Sequence, residues 1–418
     1  MSILLVIPHL GCNIFCYYCY ERRYRQKHST KMNYNLEIIL KRMEELKSSH
    51  PEMCLHGGEP LMLPKEDVRT LLLKMKELTG KSSIQTNGTL IDDDFIKIFK
   101  ECNTSVGISH DGPGELSEYR FHRLKKDPEL EKKIKKMAKQ GVGVSIIMVI
   151  TKANAGTDKR LRKLKNYLLE LDKIRINGRI NPCGGAPECE LDEKRIKEVY
   201  LDLADFCLKH NLKWSPLIDI VNGLKGKSRV CSFSGCDPFC TPSAAELLED
   251  GSLTNCMRIN QEYMLLRHPI KYNTRDEILS QTPQEFGGCQ GCKYWSACHG
   301  GCPTMTINND WRNRTYLCPL WYALFEFYEK TLSHLDVSLN LCDVKQKSNQ
   351  QSIDADHQDQ PHGDQVEHQD HMDESHNDAS GRGSFPMELE KEIKETKPGY
   401  EHADSDHGDW ADHGDSHN

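Results

Sequence analysis

"GCNIFCYYCY", residues 11–20, places three cysteines within eight positions, a dozen residues into a chain of 418. A disulfide consumes two thiols, and a structural zinc site is usually built from two separated pairs. Three thiolates on one short loop can instead hold three corners of an iron–sulfur cube and leave the fourth iron without a protein ligand. Cys12, Cys16 and Cys19 therefore read as metal ligands. An iron left open in this way is a place for chemistry, and the loop that carries it should lie where a fold exposes its site.

The run before the loop, "ILLVI" (3–7), has strand character, and similar runs recur at 52–56, 82–86, 105–109, 144–150 and "KIRIN" (173–177). A helix-like stretch follows each. In "DPELEKKIKKMAKQG" (127–141), Asp127 can cap the helix and Pro128 suits the first turn. Leu130, Ile134, Met137 and Ala138 share one face, and Gly141 ends it. Six such units predict an α/β fold with a parallel sheet, a partial (β/α)6 TIM-type barrel over residues 1–212. In such barrels chemistry sits on the loops after the strands. The three-cysteine loop follows strand 1.

Residues 213–335 lose this periodicity and hold Cys231, Cys236, Cys240, Cys256, Cys289, Cys292, Cys298, Cys302 and Cys318. A small module with so little core needs staples, and metal clusters supply them. "WYALFEFYEKTLSHL" (321–335) reads as a closing helix. Residues 336–418 form a His/Asp-rich tail with few large apolar side chains, expected to be disordered on its own.

Composition narrows the setting. No run of about 18 apolar residues suggests a membrane span. The start "MSILLVIPHLGC" lacks the basic region and cleavage site of a signal peptide. The expectation is a cytoplasmic protein, whose 18 cysteines serve metals rather than disulfides. The net charge of −7 hides two unlike parts. Residues 351–418 carry 19 acidic and 4 basic side chains, and the other 350 carry 43 acidic and 51 basic ones. No basic stripe interleaved with aromatics is present, so nucleic acid is not an expected partner.

Cys12-x3-Cys16-x2-Cys19, with Tyr18 as the aromatic before the last cysteine, resembles the signature of the radical S-adenosylmethionine (SAM) superfamily. "HGGEP" (56–60) resembles the family's loop for the methionine amine of SAM. "QTNG" (85–88), "SHDGP" (109–113), Arg120 and Asn154 stand where that family keeps SAM-facing groups. The second half is similar to the SPASM extension, C-x9–15-G-x4-C, C-x2-C-x5-C-x3-C and a last Cys. Ten residues separate Cys240 from Gly251 and four separate Gly251 from Cys256; Cys289, Cys292, Cys298, Cys302 and Cys318 complete it. The resemblance covers about residues 2–335.

It implies SAM and three [4Fe–4S] clusters as cofactors. Cys12, Cys16 and Cys19 would hold the SAM cluster, and Cys289, Cys292, Cys298 and Cys318 one auxiliary cluster. Cys240, Cys256 and Cys302 would hold the other, with Cys236, preferred for its short spacing, or Cys231 as the fourth ligand. Gly57, Gly58, Glu59 and Pro60 would contact the methionine moiety, with Glu59 at its ammonium group or, alternatively, ordering its own loop. Ser109 and Asp111 would face the ribose and Arg120 the carboxylate. Cys54, Cys102, Cys183, Cys189, Cys207 and Cys342 are left as ordinary thiols, with Cys183 and Cys189 the best placed to face a substrate. The implied activity is hydrogen abstraction by a 5′-deoxyadenosyl radical, fed by an electron donor such as flavodoxin or ferredoxin, on a peptide substrate. No catalytic acid or base is singled out. Sulfatase-maturating members of the family carry an Asp base directly after the G-x4-C cysteine; Met257 stands there.

The tail has its own pattern. His357, His362, His368, His371, His376, His402, His407 and His413 each have Asp two positions later, as does Trp410. Such aromatic-x-Asp triplets resemble the peptides that cyclophane-forming maturases crosslink. "MELEKEIKETKPGYE" (387–401) would precede the last of them as a leader-like helix. The competing readings are a metal-buffering tail, since His and Asp bind Ni²⁺ or Zn²⁺ readily, and a sulfatase-maturase-like oxidase.

Overall fold

The computed structural model describes residues 3–21, 32–120, 129–227, 231–240, 242–256, 258, 273–333, 339 and 341. Asp127, Pro128, Met257, Cys342, the leader-like stretch and the tail triplets lie outside the described residues.

Six consecutive strands form a parallel sheet, five of them at the expected positions. They are β1 (Ile3–Val6), β2 (Glu52–Leu55), β3 (Ser82–Thr86), β4 (Thr104–Ser109), β5 (Gly143–Ile150) and β6 (Gly178–Pro182). Each pairs with its neighbour in chain order. The connecting helices include α1 (Leu36–Leu46), α2 (Lys65–Thr79), α3 (Asp93–Glu101), α4 (Leu130–Lys139), α5 (Asp158–Lys173) and α6 (Glu193–Lys209). Each lays an apolar face on the sheet; on α2 that face is Val68, Leu71, Leu72 and Met75, all buried. In α4 the predicted face is buried through Leu130, Ile134 and Met137, and Ala138 packs partly against the core. That helix starts behind Glu129, which makes no side-chain cap bond.

The sixth strand departs from expectation. "KIRIN" is the end of α5 and the turn after it, and the strand is "GRINP". Arg175 takes a left-handed φ of 59°. Its N–H donates to Asp172 O at 2.8 Å, and the N–H of Ile176 donates to Leu171 O at 2.9 Å. This is a Schellman cap, whose apolar residue just past the turn packs back on the helix. The Ile-Arg-Ile alternation that imitates a strand is the signature of that cap. Gly141 with Val142 and Asn211 with Leu212 close α4 and α6 in the same way.

The sheet extends beyond the six strands at both edges. A two-residue strand β7 (Trp214–Ser215) pairs in parallel with β6. On the other side β8 (Ala244–Leu247) pairs in parallel with β1, Ile3 opposite Ala244 and Val6 opposite Leu247. A hairpin then adds β9 (Leu253–Asn255) antiparallel to β8. "AAEL" has little strand propensity, which is why β8 was not anticipated. The rest of the cysteine-rich region holds α7 (Leu217–Leu224), α8 (Arg275–Gln281) and α9 (Cys318–Ser333). The closing helix α9 starts at Cys318 and packs Trp321 edge-on against Tyr200 of α6 and Phe233.

β1 is thus a central strand, hydrogen-bonded on both sides, with Leu4 and Val6 fully buried. Leu4→Ala should destabilise the protein by about 2–5 kcal/mol, as read by chemical denaturation. A smaller loss than the same change at half-buried Leu40 would place the core elsewhere.

Candidate functional site

The loop after β1 is fixed by the loop after β2 through main-chain bonds. Gly58 N donates to His9 O at 3.2 Å and Glu59 N to Gly11 O at 2.8 Å. A Cβ on Gly58 would run into the carbonyl oxygens of Leu10 and Gly11, and Gly57, at φ 133°, lies against His9 O. Both glycines are required by close backbone approach.

Glu59 is fully buried. Its carboxylate accepts from Leu61 N (3.1 Å), Thr86 Oγ1 (2.6 Å) and Asn87 N (2.7 Å). Burial pushes its pKa up to about 6, with those donors opposing. Its contacts within the protein are those of a loop-ordering carboxylate, and Pro60 opens the short turn it caps. Asn87 reaches across to the cysteine loop, donating to Asn13 Oδ1 at 2.8 Å and lying 3.8 Å from Cys12 Sγ. Asn13 in turn donates to Thr89 Oγ1 at 2.8 Å. Asn13 and Thr89 were not singled out from the sequence; their position beside Cys12 and "QTNG" was the available signal.

Asp111 and Arg120 form a buried ion pair, Arg120 Nη2 to Asp111 Oδ1 at 2.9 Å. The same carboxylate accepts from the Tyr18 hydroxyl and from Val149 N. The Arg120 guanidinium lies 5.4 Å from the Tyr18 ring centroid and 4.0 Å from Cys16 Sγ. Burial pushes the Cys16 thiol up to about 12, against the pull of Arg120 and with Cys19, Asp111 and Cys12 adding to the rise. The three loop thiols are therefore electrostatic neighbours. Asn154 is buried and closes a capping box with Thr151 while donating to Val149 O and Asp111 O. Ser109 accepts from Gln85 Nε2 at 2.9 Å. The expected SAM-facing residues thus converge on the carboxyl ends of β1–β5, largely bonded to one another.

The second cysteine region gathers in two sets. Burial raises the Cys298 thiol, and Cys289, Cys318 and Cys292 each raise it further. Those four are the expected second auxiliary set. Burial likewise raises Cys236, with Cys302 and Cys231 contributing; Cys256 is raised by burial, Glu246 and Cys302. Cys240 is exposed, its N–H held by Asp237 Oδ1 at 3.0 Å. Gly251 has φ 83° and its carbonyl accepts from Arg42 Nε at 3.1 Å, tying the β8–β9 turn to α1. Cys183 and Cys189 are buried together beside Tyr17, Tyr18 and Tyr119 at the end of β6.

The profile described as the radical SAM superfamily matches residues 6–173. The chain carries a radical SAM domain. This radical SAM enzyme is related in sequence to the cysteine-type anaerobic sulfatase-maturating enzyme of Clostridium perfringens. The two are 26% identical over 368 residues, 78% of this chain and 96% of the relative. Its fold matches that of native anSMEcpe with bound AdoMet and Cp18Cys peptide at a TM-score of 0.62. That match is 23% identical and covers 80% of this chain and 98% of that one. It also matches Streptococcus suis SuiB bound to the precursor peptide SuiA at 0.52, 16% identical over 76% of each chain.

A radical SAM domain implies SAM and one [4Fe–4S] cluster, and the residues fit that pair. The described cysteines form no disulfide, and their thiols are soft donors suited to iron–sulfur clusters. Among the described residues no three His, Cys, Asp or Glu side chains converge on a single-ion site. Among the described residues no helix is long and apolar enough to cross a membrane.

Gly58→Ala should force the two loops apart. Anaerobically reconstituted protein should lose SAM binding in equilibrium dialysis while keeping the iron of the C-terminal cysteine sets. Unaltered SAM affinity would contradict the close approach.

Proposed function

We propose that this enzyme modifies a peptide by radical chemistry and crosslinks aromatic-x-Asp triplets, those of its own tail included. The observation that carries this reading is the tail, in which eight histidines and Trp410 each precede Asp by two positions. Structures of relatives bound to a Cp18Cys peptide and to the precursor SuiA support a peptide as substrate class.

The cofactor pair at Cys12, Cys16 and Cys19, when bound, supplies hydrogen-atom abstraction. The chain's part is to place and exclude. Glu59 and Asn87 hold the two loops in register, while the Asp111–Arg120 pair keeps Tyr18 and Cys16 in place. Joining a ring carbon to the Asp Cβ removes two hydrogens: one would leave Cβ as an atom taken up by the SAM-derived radical, and one would leave the ring as a proton released to solvent and an electron that an auxiliary cluster would accept. Reducing equivalents would come from a protein such as flavodoxin or ferredoxin. Cys289, Cys292, Cys298 and Cys318 are assigned to one auxiliary cluster. Cys240, Cys256 and Cys302 are assigned to the other, with Cys236, four positions before Cys240, preferred to Cys231 as the fourth ligand.

A second reading, oxidation of a sulfatase-type residue to formylglycine, is favoured by the 26% identity to the C. perfringens enzyme. Met257, which cannot accept a proton, counts against it.

Three experiments follow from these assignments. Anaerobic turnover with SAM and dithionite, followed by tandem mass spectrometry of the tail, should show about 2 Da lost per modified triplet. His407–Asp409, Trp410–Asp412 and His413–Asp415 are the first expected sites; an unchanged tail mass while SAM is consumed sinks the built-in substrate. Replacing Cys12, Cys16 and Cys19 with Ala should remove about four irons and all SAM cleavage. Cys240→Ala and Cys236→Ala should each cost a further cluster and Cys231→Ala should not; loss on Cys231→Ala with Cys236→Ala still loaded would make Cys231 the fourth ligand.

A further inference from the structure

Between Cys298 and Cys302 the chain runs His299-Gly300-Gly301, and all three residues are left-handed, at φ 50°, 71° and 75°. Glycine takes this conformation freely, but for histidine it is sterically strained, so the turn must be held. Arg275, fully buried at the start of α8, holds it. Its Nη1 donates to His299 O (3.3 Å) and Gly301 O (3.0 Å), and its Nη2 to Gly300 O (3.4 Å) and Asn313 O (3.1 Å). Nε donates to Trp311 O at 2.7 Å. The carbonyl of each residue linking the two cysteines is therefore bonded to one side chain.

The same segment grips the other cysteine loop. Arg275 N donates to Asp237 Oδ2 at 2.7 Å, and Asp237 Oδ1 accepts from Phe239 N and Cys240 N. Asp276 Oδ2 meets His299 Nδ1 at 3.0 Å.

Among the described residues the guanidinium's hydrogen bonds go to neutral carbonyls, so a cation is buried and needs anionic compensation from its surroundings. Burial pulls its pKa below the usual arginine value, and the groups that oppose this are Cys302, Cys236 and Cys289, followed by Asp276. A Cβ on Gly300 would lie 3.6 Å from both Arg275 Nη2 and Cys289 Sγ. Those cysteines belong to both C-terminal sets.

We propose that Arg275 is a positioning residue shared by the two auxiliary clusters. It fixes the spacing of Cys298 from Cys302, and its charge raises the reduction potential on both sides. This rests on the auxiliary-cluster assignment above. Reduction adds negative charge to a cluster, and a buried cation beside it stabilises the reduced form.

The test uses the full-length chain with Cys12, Cys16 and Cys19 replaced by Ala, reconstituted anaerobically so that only auxiliary clusters remain. EPR-monitored redox titration reads their potentials and iron analysis their occupancy. Arg275→Gln should shift both potentials to more negative values, and Arg275→Lys, which keeps the charge, should stay near the parent. If Arg275→Gln does not load, the expected loss covers both sets, about eight irons. Unchanged potentials in a loaded Arg275→Gln protein, an Arg275→Lys shift as large as that of Arg275→Gln, or loss confined to one set overturns the proposal. A parent without auxiliary iron overturns the cluster assignment and the role of Arg275 with it.

Discussion

Two main-chain hydrogen bonds, Gly58 N to His9 O and Glu59 N to Gly11 O, join the loop after β1 to the loop after β2. The site depends on this seam. It fixes the start of the cysteine loop through main-chain atoms alone. It also delivers the Glu59 carboxylate into the barrel, where Thr86 and Asn87 close on it. Asn87 then carries the register onward to Asn13 and Cys12. Neighbouring parallel strands end at one level, so loops after β1, β2 and β3 can be linked in this way.

Charge is handled differently at the two ends of the described chain. Asp111 and Arg120 neutralise each other in the barrel, and a buried pair with such bonding is tolerated because its lone pairs and protons are used. Among the described residues Arg275 has no such partner in its hydrogen bonding and directs its donors to carbonyls. The first arrangement holds a fixed wall beside Cys16. The second leaves a net charge among thiols, where it acts on whatever those thiols bind.

The sheet was legible because its strands are short apolar runs separated by amphipathic helices, and the cysteine sets because their spacings are dense and regular. Where the reading failed, another structure produced the same pattern. Ile174-Arg175-Ile176 alternates as a strand would, yet the alternation arises from a Schellman cap. β8 escaped notice because Ala244 and Ala245 carry no strand propensity; that segment is a strand because β1 offers it an edge. Glu59 and Asn154 stand out in the sequence as candidates, and for Glu59 loop-ordering was one of the two readings, but the partners Thr86, Asn87 and Thr151 come only with the fold. Arg275 left no trace at all, since a lone arginine beside a capping threonine looks like a solvated helix start. Its role exists only once three left-handed residues far along the chain turn their carbonyls toward it.

The parallel pairing of β8 with β1 bears on modularity. A chain cut near residue 212 would retain the whole β/α repeat yet expose one side of β1 as an unprotected edge, four residues of bare amide and carbonyl beside apolar Leu4 and Val6. Such an edge invites pairing with another chain. The cysteine-rich region therefore acts as the lid on the sheet's open margin. The barrel and that region cannot be treated as interchangeable cassettes: grafting a different C-terminal half onto this barrel would have to supply a replacement strand in the same register.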